Sequence, residues 1–329
     1  MMSSLSPEVV AAIDDLELAA RIVVEGLRTG GNRSPFHGYS TEFRQHRPYR
    51  LGDDLKHLDW KLYARSDRLY TRQFRETTNL SVLIVLDTSA SMAYPDAGVS
   101  KFRYAQVVAA ALAYLVGDQG HAVGMMTMDR SKLAYVPARG GRVHLRSLIA
   151  RIDRLSAGGA WDAPRVLARG AQLLQRRGIV LVLSDFYDAE EDTRRAMRQV
   201  AQRGHDVGML QILSPSERSL PFAGQVELQD AETGDVRLVD ASAAAAAYRT
   251  AVADFLERCR ASAFRDGIDY GLLSTDSPPA VALREYLLKR AARPALRETP
   301  RARLGSSGIT GAVSSTVSSG LSSNLSNAR

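Results

Sequence analysis

The sequence predicts an α/β fold: a doubly wound, mostly parallel sheet with helices on both faces, preceded by an N-terminal annex and followed by a tail. Three observations lead there. From Leu80 to about Arg290, apolar runs of strand length alternate with amphipathic runs of helix length. Several of those strands, such as Ile179–Leu183, are apolar at every position, as strands covered on both faces must be. The chain has 329 residues, 45% hydrophobic and 24% charged, enough to build one large core of ordinary globular composition.

The elements follow in order. Residues 1–79 form the annex, opening with a helix near Pro7–Leu27 that stops at the Gly30–Gly31 pair. An irregular polar stretch comes next, and within it "RLYTRQFRE" alternates as an edge strand leading into the strand that follows. Residues 80–292 form the main domain. Its strands are read at "LSVLIVLD", "HAVGMMTMD", "KLAYVPA", "GIVLVLSD", "HDVGMLQIL" and "GIDYGLLST". Helices are read at Lys101–Gln119, "RVHLRSLIARIDRL", "APRVLARGAQLLQRR", "EEDTRRAMRQVAQRG", about Ser242–Ala263 and about Pro279–Arg290. Between Leu220 and Asp240 a small hairpin turns at "TGD". Residues 293–329 are rich in Ser and Gly and poor in large apolar residues, and are expected to be disordered.

Composition narrows the function classes. No apolar run approaches the ~20 residues that span a bilayer. Glu8, Asp14, Asp15 and Glu17 come early with no basic leader before them, which is not the pattern of a signal peptide. The single cysteine, Cys259, cannot form an intramolecular disulfide and fits a reducing compartment, so a cytoplasmic location is expected. The net charge of +7 is concentrated from Lys289 onward, where seven basic residues face Glu298 alone. The body is therefore near neutral, which argues against a nucleic-acid groove. The six histidines are scattered without metal-ligand spacing. There is no phosphate-loop lysine and no G-x-S-x-G elbow, so a non-enzymatic role is expected.

The chemistry that remains lies at two strand ends. "SVLIVLDTSASM" closes an apolar strand with Asp87, Ser89 and Ser91, and "GIVLVLSD" closes another with Asp185. In a doubly wound sheet, ligands bind outside the carboxyl ends of the strands. An Asp with two alternate hydroxyls, and a second carboxylate beside it, is an all-oxygen set that suits magnesium. The competing reading makes Ser89 or Ser91 a cap for the following helix.

"DTSASM" resembles the metal-ion-dependent adhesion site (MIDAS) of the von Willebrand factor type A fold. The annex is similar to the hallmark of the bacterial family known as domain of unknown function 58, carried by Arg47, Tyr49, Gly52, Asp53, Asp54, Asp59, Trp60, Ala64 and Arg65. "SDFYD", "HDVGMLQILSPSE", "DAETGD" and "IDYGLLSTD" are similar to later blocks of that family. The resemblance implies a von Willebrand factor A-like, Rossmann-like domain and a metal site at Asp87, Ser89, Ser91 and Asp185. It also implies a protein partner among the MoxR group of AAA+ ATPases, serving the assembly or maturation of other proteins. Such sites usually add a threonine, and here that position falls on Ala160. The expected magnesium site is therefore degenerate and weak, with Asp162 as a stand-in ligand. In the annex, Arg47, Tyr49, Asp53, Asp54, Asp59, Trp60 and Arg65 are expected to form a network that fastens it to the sheet and leaves one face for a partner, with Trp60 either buried in that network or a partner contact. The alternative function is a metal-dependent hydrolase using Asp87 and Asp185.

Overall fold

A computed structural model describes residues 5–28, 42–49, 58–66, 68–75, 80–96, 98–129, 132–159, 161–174, 177–187 and 190–292. The expected tail, together with Asp53, Asp54 and Ala160, lies outside these residues. So does the side chain of Arg47.

The N-terminal helix expected as one piece is two, α1 (Pro7–Ala11) and α2 (Leu16–Arg28). Asp15 causes the break. Its Oδ1 accepts hydrogen bonds from the backbone N–H groups of Glu17 and Leu18 (2.9 and 3.2 Å), starting a second helix. Leu16, Ala19, Ala20, Val23, Val24 and Leu27 form an apolar stripe at helical spacing, and all six enter the main core. This helix therefore packs with the sheet domain rather than with the annex, because its stripe needs cover.

The annex proper holds β1 (Glu42–Pro48), α3 (Trp60–Ser66) and β2 (Tyr70–Arg75). β2 pairs antiparallel with β1 in a separate two-stranded sheet. The expectation that "RLYTRQFRE" forms an edge of the main sheet is thus corrected. The partner strand lay in a stretch read as irregular, where the charged residues hid a pairing segment.

The main domain follows as β3 (Ser81–Leu86), a 3₁₀ turn at Ser91–Ala93, a short β4–β5 hairpin (Pro95–Asp96, Val99–Ser100) and α4 (Lys101–Asp118). Then come β6 (Ala122–Asp129), β7 (Lys132–Arg139), α5 (Arg142–Asp153) and α6 (Ala163–Leu173). Next are β8 (Ile179–Ser184), α7 (Glu190–Gln202), β9 (Asp206–Leu213) and α8 (Pro215–Ser219). The hairpin β10 (Gln225–Gln229) and β11 (Val236–Asp240), α9 (Ala241–Arg265), β12 (Asp269–Ser274) and α10 (Pro279–Ala291) complete it.

The six-stranded sheet runs β12-β9-β8-β3-β6-β7, with every neighbouring pair parallel except β6 and β7. The expected doubly wound, mostly parallel α/β fold is what the chain adopts. Strand alternation divides the core. Val82, Ile84 and Leu86 face one side with α2, α4, α5 and α10. Leu83 and Val85 face the other with α6, α7 and α9. Winding starts at β3, proceeds outward to β6 and β7, then resumes at β8 on the opposite side of β3. The order reverses between β3 and β8, the place where doubly wound sheets bind ligands.

Candidate functional site

Asp87 and Asp185 follow the two strands that flank this reversal. The ladder carries on past the end of β3, since Asp87 N–H donates to the Leu183 carbonyl at 3.0 Å. Both carboxylates are buried, each residue only 2% exposed. Ser184 Oγ donates to Asp87 Oδ2 at 2.5 Å, and the Ser89 N–H donates to Asp87 Oδ1 at 2.7 Å. The hydroxyls of Ser89 and Ser91 lie 3.0 Å apart. Thr88 Oγ1 donates to the Met128 carbonyl at 2.6 Å, pinning the loop to β6. From the far side, the Gly158 and Gly159 N–H groups bond the Thr88 carbonyl at 3.1 and 3.2 Å. The structure thus brings Asp87, Ser89 and Ser91 together as the sequence implied.

Asp185 has a different neighbour. Lys101, the first residue of α4, is fully buried, and its Nζ donates to Asp185 Oδ2 at 2.7 Å and to Glu217 Oε1 at 2.5 Å. The other oxygen, Asp185 Oδ1, accepts from the Tyr187 N–H at 3.2 Å. The Tyr187 ring centroid lies 5.3 Å from the ammonium, within cation–π range. Between them Phe186 adopts φ 61°, a left-handed conformation that bulky residues rarely take. Its N–H bonds Ser184 Oγ at 2.9 Å. Such strain is held where surrounding contacts over-determine the turn. Glu217 is fixed in turn by a capping box: Ser214 Oγ accepts from its N–H, and its Oε2 accepts from the Ser214 N–H at 2.9 Å.

The electrostatics differ accordingly. Burial, and then the charge of Asp185, push the Asp87 carboxyl up to about 7, against the hydrogen bonds from Ser184 and Ser89. For Lys101, burial works to lower the pKa, but the Asp185 and Glu217 carboxylates outweigh it and hold the ammonium above the usual lysine range.

A fourth carboxylate comes from outside the cleft. In the β10–β11 turn, Asp230 Oδ1 accepts from the Glu232 and Thr233 N–H groups, both at 2.9 Å. That turn presents Glu232, whose Oε1 accepts from the Ser91 N–H at 2.9 Å.

Asp162 is engaged elsewhere. It is the exposed N-cap of α6, with Oδ1 accepting from the Arg165 N–H at 3.0 Å. In the annex, Asp59 caps α3 through the Leu62 N–H at 3.0 Å, and Tyr49 N–H bonds the Leu69 carbonyl at 3.0 Å. Trp60 is 60% exposed and Tyr63 37%, their rings edge to face with centroids 6.3 Å apart. Arg65 is exposed too. Of the two roles expected for Trp60, buried fastener or partner contact, this exposure does not support the first.

The matching family model, described as a protein of unknown function, DUF58, spans residues 45–260. The chain belongs to the DUF58 family. An uncharacterised protein of Mycobacterium tuberculosis is 32% identical over 266 residues, covering 78% of this DUF58 chain and 83% of its own length. Among solved structures, the conserved hypothetical protein BatB from Bacteroides thetaiotaomicron is 16% identical. Its TM-score is 0.44, with 64% of this chain and 98% of that one covered. A von Willebrand factor type A protein from Catenulispora acidiphila is 14% identical with a TM-score of 0.38, covering 66% and 43% of the two chains. Among the described residues, no helix is long and apolar enough to cross a membrane.

Whether the residues fit a resident divalent ion is a question of free oxygens. Magnesium needs near-octahedral oxygen ligands at ~2.1 Å, usually including one or two carboxylates. Each oxygen of Asp185 already accepts one hydrogen bond, one of them from an ammonium whose charge opposes a second cation there. Among the described residues, no three acidic, histidine or cysteine side chains converge as a metal-holding group. Asp87, Ser89 and Ser91 would need waters to complete a magnesium shell. Sequence reading missed Lys101, Glu217 and Glu232. The signals were present in the "SPSE" capping box and in "DAETGD", but each also has a purely local meaning.

Proposed function

We propose that this DUF58 chain is a non-enzymatic protein-interaction module that receives an acidic side chain of its partner on the Asp87–Ser91 loop. The observation that carries the reading is the Glu232 contact. A carboxylate delivered by a separate loop already sits on the Ser91 N–H at 2.9 Å. Beside it the Ser91 hydroxyl, 3.0 Å from that of Ser89, is both a donor and an acceptor at the same rim. A partner's Asp or Glu would displace Glu232 and take up the same N–H. The rest of the β10–β11 hairpin is largely exposed, so the exchange disturbs little packing. Trp60 and Tyr63 supply a second contact of the kind that anchors interfaces, an exposed aromatic pair of low conformational entropy.

By family resemblance the partner is a MoxR-group AAA+ ATPase, and the process is assembly or maturation of other proteins. Titration calorimetry of the purified chain against such an ATPase tests this. Ser91→Pro removes the N–H, and Trp60→Ala removes the aromatic anchor. Each should weaken binding about 10-fold or more, while Val143→Ser, on an 85% exposed residue of α5, should leave it unchanged. Equal affinity for all four proteins would refute the assigned surface, and no heat with the wild type would refute the partner.

A further inference from the structure

We propose that the Lys101 ammonium stands in for the divalent cation at this strand-end cluster, giving the site a tethered positive charge in place of an exchangeable metal. The inference concerns the source of charge and does not depend on which partner binds.

Three features support it. The first is completeness of the ion pair. Lys101 Nζ reaches Asp185 Oδ2 and Glu217 Oε1, with side-chain exposures of 0% for the lysine and 2% and 14% for its partners. The remaining oxygens of both carboxylates accept the N–H groups of Tyr187 and Ser214. All four carboxylate oxygens thus have a donor. The cluster is satisfied in the way that makes buried charge tolerable.

The second feature is the cost of exchange. A magnesium ion entering beside Asp185 would have to take its oxygen from the ammonium, which sits on the first residue of a helix whose flank is fixed. Ser100 Oγ caps α4 by accepting from the Arg103 N–H at 3.1 Å. A displaced ammonium would keep Glu217 but stay fully buried with half its counter-charge gone. The metal must also shed waters that magnesium releases reluctantly.

The third is placement. A helix N-terminus is the wrong end for a cation by dipole alone. A lysine buried there is there for its partners, and those come from the loop after β8 and from α8, 84 and 116 residues away in sequence. The charge belongs to the strand-end edge rather than to α4.

The test uses the full chain and two divalent probes, magnesium and manganese. In wild type, the electron paramagnetic resonance signal of free aqueous manganese should be undiminished by equimolar protein. The melting temperature should be the same in magnesium as in chelator. In Lys101→Ala, the vacated space beside Asp185 and Glu217 should bind manganese, with waters completing the shell, and magnesium should recover part of the lost melting temperature. Stoichiometric loss of the free-manganese signal with wild type would overturn the proposal. So would a folded Lys101→Ala protein that binds neither ion, since the ammonium would then not be what keeps metal out. If Lys101→Ala does not fold, Lys101→Met replaces it, and the wild-type measurement decides by itself.

Discussion

The ends of β3 and β8 carry the same residue at the same depth, yet they are neutralised in opposite ways. Asp87 and Asp185 are both 2% exposed and both stand where the winding of the sheet reverses. Asp185 meets an ammonium and keeps its charge in a closed ion pair. Asp87 meets hydroxyls and an amide in place of a cation, and burial pushes its carboxyl pKa up. A buried carboxylate therefore has two escapes, a counter-charge or a proton, and this chain uses one at each strand end. The difference marks the β8 side as structural and the β3 side, with Ser91 and Glu232 at its rim, as adaptable.

The largest expected effect comes from removing the counter-charge. Lys101→Ala leaves Asp185 and Glu217 buried and unpaired, and should cost about 3–5 kcal/mol in urea denaturation. If the loss were under about 1 kcal/mol, as for an exposed pair, the closed-pair picture of the β8 end would fail.

The β3 end is sharpened by pH. The folded-state pKa of Asp87 is raised to about 7 from an ordinary 3.8. Between those values the folded chain binds a proton that the unfolded chain has released. This group's contribution therefore favours folding at low pH and declines as pH rises through that window, by on the order of 1–3 kcal/mol. Asp87→Asn removes the titration. It should be more stable than wild type at pH 8 and closer to it at pH 5, measured by thermal melts at both pH values. A parallel pH dependence in the two proteins would mean that Asp87 is not the group holding the proton.

Smaller still is the support under the lysine. Ser214→Ala removes the hydroxyl half of the capping box that fixes Glu217, and should cost about 1 kcal/mol. Smallest is Trp60→Ala, within about 0.5 kcal/mol of wild type, because the indole is mostly in solvent. A loss of several kcal/mol there would restore the expectation that Trp60 fastens the annex.

Much of the main domain could be read from its residues. The strands are uniformly apolar because both faces are covered, and Asp87 and Asp185 stand out because a charge ends each apolar run. Local alternation likewise found the β10–β11 hairpin. What could not be read is what depends on closure. Lys101 opens a helix, where an isolated lysine normally means a solvated surface, and only the fold brings Asp185 and Glu217 onto it. The two readings of Trp60 stayed open for the same reason: the wish of an indole for cover is a property of the residue, but the cover itself belongs to the neighbours. The break between α1 and α2 was legible in principle, since Asp15 before Leu16 and Glu17 is a helix start. It was overridden by the continuous apolar pattern across it.

The central contrast is between a strand end held by an ammonium and one met by hydroxyls and an amide, with its carboxyl pKa raised by burial. Crystals of the wild-type chain grown with manganese, and an anomalous difference map at the manganese edge, examine that contrast most directly. The account predicts no peak between Asp87 and Asp185, with Lys101 Nζ within hydrogen-bonding distance of both Asp185 and Glu217. A peak bonded to Asp87, Ser89 and Ser91, with Lys101 turned away from Asp185, would contradict it.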